Sequence, residues 1–514
     1  MHCPLTVADF LNRAENVYGD RIAVVDEPDA PGGSLGAFTY KQMASMARSL
    51  AVALDELGVG AGERVAILSP NAARFLVALY GVGAYGRVTV PINFRLKPDE
   101  IAYILEHSGA QVLLVDPEFA DSVADIPVPH RFVLGKETDG FLFLREDARP
   151  ALGVTDENAT ASINYTSGTT ARPKGVALTQ RNLWLNATTF GWHSGVSDRD
   201  TYLHVVPTFH CNGWGMPYGL AAFGVTQVIL RKVDGAEILK RVAEHGVTLM
   251  CGAPAVFNAV VGAAALVRAA GAAVPGHGNV RAVVAGAPPP AALIEKMETE
   301  LGWEFLQIWG LTETSPMLSI NRGRREWDDL PVGERARNLS RAGAPVLGVT
   351  LSKAPDGEIL ARSNHVFAGY WDQPDKTAEA LEGGWFHTGD GGHFEGAYLV
   401  VTDRKKDVII SGGENVSSIE VEDCLYQHAS VAEVAVIGVP DPKWGETVKA
   451  LVVLRPGSEA TEADLIAHCR QRMATYKCPT SIEFRDQLAR TATGKLQKFK
   501  LREPYWTGRD RMVN

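Results

Sequence analysis

Three times between residues 39 and 116 the chain repeats one order: a stretch of helical periodicity, a turn, then a short apolar run. Thr39–Leu57 leads across Gly58 to Gly62 into Arg64–Ser69, Asn71–Gly86 leads into Val88–Pro91, and Pro98–His107 leads into Gln111–Asp116. Helices alternating with buried strands predict an α/β fold with mainly parallel strands. Further strands are expected at Ile22–Val25, Tyr202–Val206, Gln227–Leu230, Thr248–Cys251 and Val280–Ala285, and the apolar run Ala259–Val274 reads as a packed helix. A chain of 514 residues exceeds one core, so two or more domains are expected.

From about Val332 short segments separated by Gly, Pro and Asp predict a smaller β-rich subdomain. The run Asp403-Arg404-Lys405-Lys406-Asp407 lies between apolar runs at 398–401 and 408–410. Clustered charge of this kind suits a solvated connection, either a domain linker or a simple hairpin turn. A compact unit follows, whose first helix should begin at a Ser417–Glu420 capping box. The expected division is an N-terminal domain of layered α/β subdomains over 1–402, a hinge at 403–407 and a small α+β C-terminal domain over 408–514.

Composition narrows the function classes. A net charge of −10 offers no general attraction to nucleic acid or to an anionic membrane surface. The six cysteines are scattered without a C-x-x-C pair, which fits a reducing, cytoplasmic setting better than a disulfide framework or zinc site. Neither end reads as a targeting signal, and no apolar run is long enough to cross a bilayer. Gly81-Val-Gly83-Ala-Tyr-Gly86 matches a dinucleotide-binding spacing, but it ends a helix instead of opening one, so a helix-terminal turn is the better account.

The chemistry points elsewhere, to Tyr165–Val176. This stretch carries four hydroxyls (Thr166, Ser167, Thr169, Thr170), Gly168, Gly175, Arg172 and Lys174. Hydroxyls, exposed backbone N–H groups and a lysine suit phosphate oxygens. An ordinary polar loop would use the same residues. A Walker A loop is excluded because Lys174 precedes its glycine. Further polar clusters follow apparent strands: His210-Cys-Asn-Gly-Trp214, Gly286-Ala287-Pro288, Trp309-Gly-Leu-Thr-Glu-Thr314, His387-Thr-Gly-Asp390, Gly412-Gly-Glu-Asn415 and Thr493-Gly-Lys495. Loops at successive strand ends of an open sheet can converge on one ligand.

Taken in this order, from about residue 10 to 505, these clusters resemble the adenylate-forming acyl-CoA synthetase superfamily, with the C-terminal run most similar to medium-chain fatty acyl-CoA and aryl-CoA ligases. The resemblance implies a large domain and a small mobile one, with ATP, Mg²⁺ and coenzyme A as cofactor and cosubstrates and a small carboxylic acid as substrate. It implies that the acid attacks the α-phosphate of ATP, and that the coenzyme A thiol then displaces AMP. Thr166, Ser167, Gly168, Thr169, Thr170 and Lys174 would hold the β- and γ-phosphates. Thr312 would meet the α-phosphate, and Glu313 the metal. Trp309, where tyrosine is usual, would stack on adenine beside Gly286, Ala287 and Pro288. Asp390, assisted by Arg404, would bind ribose. Lys495 would reach the reacting phosphate and carboxylate, and Lys406 would be the hinge. Gly412, Gly413 and Glu414 would line the pantetheine path. His210 would gate an acyl pocket among Cys211, Asn212, Gly213, Trp214, Ala255 and Gly310. Trp214 would shape that pocket and the glycines open it, for a medium chain or a ring. Ala171 stands where a glycine is usual.

Two other readings share these residues. One transfers the acyl group to a separate carrier protein or partner ligase, and the other binds an acyl-adenylate without turnover. A homodimer is compatible with each.

Overall fold

The computed structural model describes residues 1, 3–166, 173–404, 407–411, 414–441, 444–491 and 496–507, with the backbone alone at 404 and 415. Two large sheets share one core. The seven-stranded sheet runs Gly369–Tyr370, Lys174–Thr179, Thr160–Thr166, Val88–Ile92, Arg64–Leu68, Ala110–Val115, His130–Val133. Its last five strands pair in parallel, and the first two antiparallel. The nine-stranded sheet has a parallel centre, from Ile22–Val25 through Thr226–Ile229, Thr201–His204, Leu249–Gly252 and Arg281–Val284 to Glu304–Gly310.

Alternation along the strands builds the layers, since successive side chains point to opposite faces. Val65 and Ile67 join the core shared with the other sheet, whereas Ala66 and Leu68 pack with Ile101, Ile104 and Leu105 of the Pro98–Ser108 helix. In the nine-stranded sheet Cys251 and Val283 face the shared core. Met250 and Val284 face Ile238, Phe257 and Val260 on outer helices. Between the sheets lies the Ala73–Gly83 helix, buried along its whole length. Its Gly81 is required by packing: a Cβ there would lie 2.8 Å from Leu50 and 3.0 Å from the Ala47 carbonyl. Gly86, at φ +78, then turns the chain into Val88–Ile92, so this glycine run is a helix end.

Three expectations shift. The Val332–Leu339 segment is a helix, and the β-rich region begins after it as a four-stranded antiparallel sheet, Val349–Lys353, Glu358–Ser363, Phe386–Glu395 and Tyr398–Arg404. The packed helix expected at 259–274 is Pro254–Ala269, because Pro254 in the first turn has no N–H to lose there. The capping box at Ser417 is half formed. Ser417 Oγ accepts from Glu420 N, but the Glu420 carboxylate pairs with Lys477 at 2.7 Å instead of turning back.

The C-terminal domain is a five-stranded sheet centred on the antiparallel pair Val431–Asp441 and Gly445–Leu454. It packs the Ser418–Tyr426 and Glu462–Arg470 helices through Val421, Leu425, Leu465 and Cys469. The charge cluster entering it is not wholly solvated. Asp403 is 2% exposed and accepts from Ser418 N (2.9 Å) and Ser418 Oγ (2.5 Å). Lys498 donates to the same Oγ and pairs with Glu422 at 2.8 Å, while Arg502 pairs with Asp407 at 3.2 Å. Burial pushes the Asp403 and Glu422 carboxyls up. Burial works against the Lys498 ammonium, but Glu422 and Asp403 outweigh it and raise the amine. Charge brought into the interior here is paired, as a low dielectric demands.

Candidate active site

The phosphate-loop candidate is carried by an antiparallel hairpin. Thr166 ends one strand, Lys174 begins the next, and the two are directly opposite. Residues 167–172, including Ser167, Gly168, Thr169, Thr170 and Ala171, lie outside the described residues, as do Lys406, Gly412, Gly413 and Lys495.

Lys174 Nζ stands 4.5 Å from the ring centroid of Tyr370. Tyr370 lies on the edge strand that extends this sheet, paired with Val176. Its hydroxyl donates to Glu313 Oε1 at 2.9 Å. Glu313 belongs to the other large sheet, in the one-turn helix Thr312–Thr314 that follows Glu304–Gly310. Phe367 N donates to the Glu313 carbonyl at 2.8 Å, so backbone and side chain of the segment 367–370 both dock on Glu313.

Thr314 fixes that turn: its Oγ1 accepts from Leu311 N (2.9 Å) and donates to Pro316 O (2.6 Å). The capping role available to a Thr-Glu pair thus falls to Thr314, and the side chains of Thr312 and Glu313, both half-buried, are spared it. Gly310, expected to open a pocket, has another reason to be glycine. A Cβ there would lie 1.6 Å from the Pro316 carbonyl oxygen, so backbone fills the space. At Gly286 a Cβ would meet nothing within 4 Å, and φ +87 is what calls for glycine. Ala287 and Pro288 follow it with half-buried and exposed side chains, and Ala255 is half-buried in the first turn of its helix.

The third sheet supplies Asp390. This residue is 6% exposed and sits opposite Arg404 in the ladder between Phe386–Glu395 and Tyr398–Arg404. Trp309 Nε1 donates to Asp390 Oδ2 at 3.0 Å. The structure therefore joins the two residues assigned to adenine and ribose into one hydrogen-bonded unit.

The segment after His210 is unusual. Cys211, Asn212, Gly213, Trp214 and Gly215 all have positive φ, between 47 and 74°. Left-handed backbone costs a non-glycine residue roughly 1–2 kcal/mol and survives only where its surroundings enforce it. Here they do. Asn212 is fully buried, with Oδ1 accepting from Ser162 Oγ (3.1 Å), and the Trp214 carbonyl accepts from Asn186 Nδ2 (3.1 Å). Trp214 and Cys211 pack in the shared core. Burial, with a smaller contribution from the Glu313 charge, drives the Cys211 thiol far above its ordinary value, so it is packing and not a nucleophile. Its Sγ lies 4.0 Å from the Thr312 carbonyl, tying this turn to the Thr312–Glu313 turn. His210 is half-buried at the entrance of the turn. Glu414 lies apart on the C-terminal sheet, exposed in the hairpin that pairs Ser411 with Glu414.

Sequence reasoning missed Tyr370 and Phe367, and gave Thr314 no role beyond its place in the Trp309–Thr314 run. Only strand pairing brings Tyr370 beside Lys174, and no local spacing announces it.

Comparison with known proteins agrees with this geometry. The AMP-binding enzyme family model matches residues 11–371, and the AMP-binding enzyme C-terminal domain matches 420–495. A probable peroxisomal acyl-activating enzyme 5 of Arabidopsis thaliana is 36% identical over 97% of this chain and 96% of its own. A 2-methylpropanoate–CoA ligase of Humulus lupulus is 35% identical over 97% and 95%. Among solved structures, an anthranilate CoA ligase in complex with anthranoyl-AMP superposes with a TM-score of 0.86 at 27% identity, covering 98% of both chains. Among the described residues no helix is long and apolar enough to cross a membrane. With both family models in register and relatives matched end to end, the chain belongs to the AMP-binding enzyme family and is an AMP-forming acid–CoA ligase.

Proposed function

We propose that this ligase activates a compact monocarboxylic acid, either short and branched or a single aromatic ring. The site assignment is supported by two contacts that cross between sheets: Tyr370 meets both Lys174 and Glu313, and Trp309, four residues before Glu313, holds Asp390. Lys174, with the loop it borders, takes the β- and γ-phosphates. Trp309 offers a flat face to adenine and Asp390 accepts from the ribose hydroxyls. Thr312 lies at the α-phosphate.

Among the described residues no group of three or more His, Cys, Asp or Glu is arranged to hold a metal. A single carboxylate with phosphate oxygens and water is what Mg²⁺ prefers, so Glu313 fits that ion. When bound, Mg²⁺ would neutralise charge on the transferring phosphates.

In the first half-reaction a carboxylate oxygen bonds to the α-phosphorus and pyrophosphate leaves. In the second the coenzyme A sulfur, its proton lost, bonds to the acyl carbon and AMP leaves. The protein's part is positioning and charge compensation. Residues 403–407, with Lys406, form the hinge in this reading. Lys495 serves the first half-reaction from the C-terminal domain, and Gly412, Gly413 and Glu414 line the thiol path in the second. The free cysteines suit a reducing compartment, and we assign the enzyme to the cytoplasm.

The compact acid class is supported by Trp214 and Cys211, which follow His210 and are buried in the core, and by the acids named for the relatives. ATP–pyrophosphate exchange over straight, branched and aromatic acids tests it: branched four- to six-carbon or single-ring acids should give the highest kcat/KM. A preference for chains beyond about ten carbons would refute it. AMP release should depend on coenzyme A, and transfer to an acyl carrier protein instead would redirect the second half-reaction.

Trp309 offers a second test. Trp309→Phe keeps a flat ring but removes the hydrogen bond to a buried carboxylate, worth about 1–3 kcal/mol. The ATP dissociation constant, read by calorimetry, should rise on the order of tenfold with the KM of the acid unchanged.

A further inference from the structure

Lys174 and Glu313 carry opposite charges, and both face the same side chain. Left to themselves, an ammonium and a carboxylate that meet one side chain would be drawn towards each other. Each would then spend on the other the donors and lone pairs a nucleotide needs. Tyr370 stands between them. Its hydroxyl donates to Glu313 Oε1 (2.9 Å), leaving Oε2 for a ligand. Its ring face holds the Lys174 ammonium at 4.5 Å. A cation over a ring is attracted without surrendering N–H donors to an acceptor atom, so Lys174 keeps them for phosphate oxygens.

Tyr370 is itself held firmly. Its backbone pairs with Val176, its N–H donates to Thr377 Oγ1 (2.9 Å), and its ring meets Phe367 edge-on at 4.8 Å. Phe367, 3% exposed, grips the Glu313 carbonyl. Glu379 is another acid close enough to feel the Lys174 charge, and it is engaged with Lys376 at 2.8 Å.

We propose that Tyr370 is a positioning residue for adenylation, a spacer that keeps the phosphate-side lysine and the metal-side carboxylate apart and presents both to ATP. The inference rests on the reading of Glu313 and Lys174 given above, and the test separates the two. Binding of Mn²⁺, as a paramagnetic stand-in for Mg²⁺, is measured by electron paramagnetic resonance on the full chain with ATP and no acid, so that no turnover occurs. Binding of metal-free ATP is measured alongside.

Tyr370→Phe should weaken Mn²⁺ about three- to tenfold and leave metal-free ATP unchanged, because the ring remains under Lys174. Tyr370→Leu should weaken both, since Lys174 is then released to pair with Glu313. Thioester formation from supplied acyl-adenylate should stay at the wild-type rate in Tyr370→Phe. Glu313→Gln should weaken Mn²⁺ by itself, and adding Tyr370→Phe to it should cost nothing more. If Glu313→Gln loses Mn²⁺ while both Tyr370 variants bind it like wild type, the spacer is refuted and the site reading survives. If Glu313→Gln binds Mn²⁺ normally, the site reading fails. Tyr370→Phe preserves side-chain shape, so it remains decisive should Tyr370→Leu fold poorly.

Discussion

In Lys495→Ala, acyl-adenylate formation should fall by about a hundred- to a thousand-fold, the usual cost of deleting one preorganised donor from developing charge. Conversion of preformed acyl-adenylate to thioester should continue near the wild-type rate. The reason is electrostatic. Negative charge builds on the α-phosphate as the carboxylate approaches, whereas the thiol's attack on the acyl carbon takes place after pyrophosphate has gone. Lys495 itself lies outside the described residues, but the described residues on either side of it are anchored. Arg490 bridges Leu496, Gln497 N donates to Ala489 O (2.8 Å), and Arg490 pairs with Glu433 at 2.8 Å. Single-turnover measurement of each half-reaction reads the two rates separately. An equal loss in both would assign Lys495 a general structural role.

Lys498→Met should be the most destabilising single change in the C-terminal domain, by about 3–5 kcal/mol, because removing one partner of a buried ion pair strands the others. The stranded groups are Glu422 and Asp403. The pH dependence has a definite sign. Both carboxyls already titrate above their ordinary values through burial, and without Lys498 they rise further. A carboxyl raised in the folded state favours folding below its unfolded pKa and loses that contribution as pH rises through the folded value. The deficit of the variant should therefore be smallest in acid and grow towards neutrality. Denaturant unfolding of wild type and variant across pH 4–8 checks this. Glu422→Gln combined with Lys498→Met should recover part of the loss by removing one stranded charge.

Much of this molecule is legible in its sequence because the signals are local. The Gly58–Gly62 turn, the periodicity of residues 39–57 and the placing of Gly81–Gly86 after a helix all depend on near neighbours, and the structure keeps them. The Trp309, Thr312–Glu313 and Asp390 clusters are equally visible, since each is a short polar run, although only Thr312–Glu313 follows a strand and Trp309 and Asp390 lie within strands. What is not legible depends on partners distant in the chain. Asp403 reads as surface charge until Ser418 and Lys498 close over it. Gly310 reads as an opening until the Pro316 carbonyl fills the place of its side chain. Tyr370 reads as nothing at all, because its meaning lies in a strand pairing with Val176, some two hundred residues earlier.

The residues proposed to hold the nucleotide come from three sheets: Lys174 and Tyr370 from one, Trp309 and Glu313 from or beside a second, Asp390 from a third. None of these sheets contains the site by itself. On the site reading proposed above, ATP should bind only after all three have docked, which would link its binding energy to the assembled state and to no partly folded one. During refolding, recovery of tryptophan fluorescence or helical signal should come before recovery of nucleotide affinity. A truncated chain that ends before Phe386 should keep much of its secondary structure and still be blind to ATP.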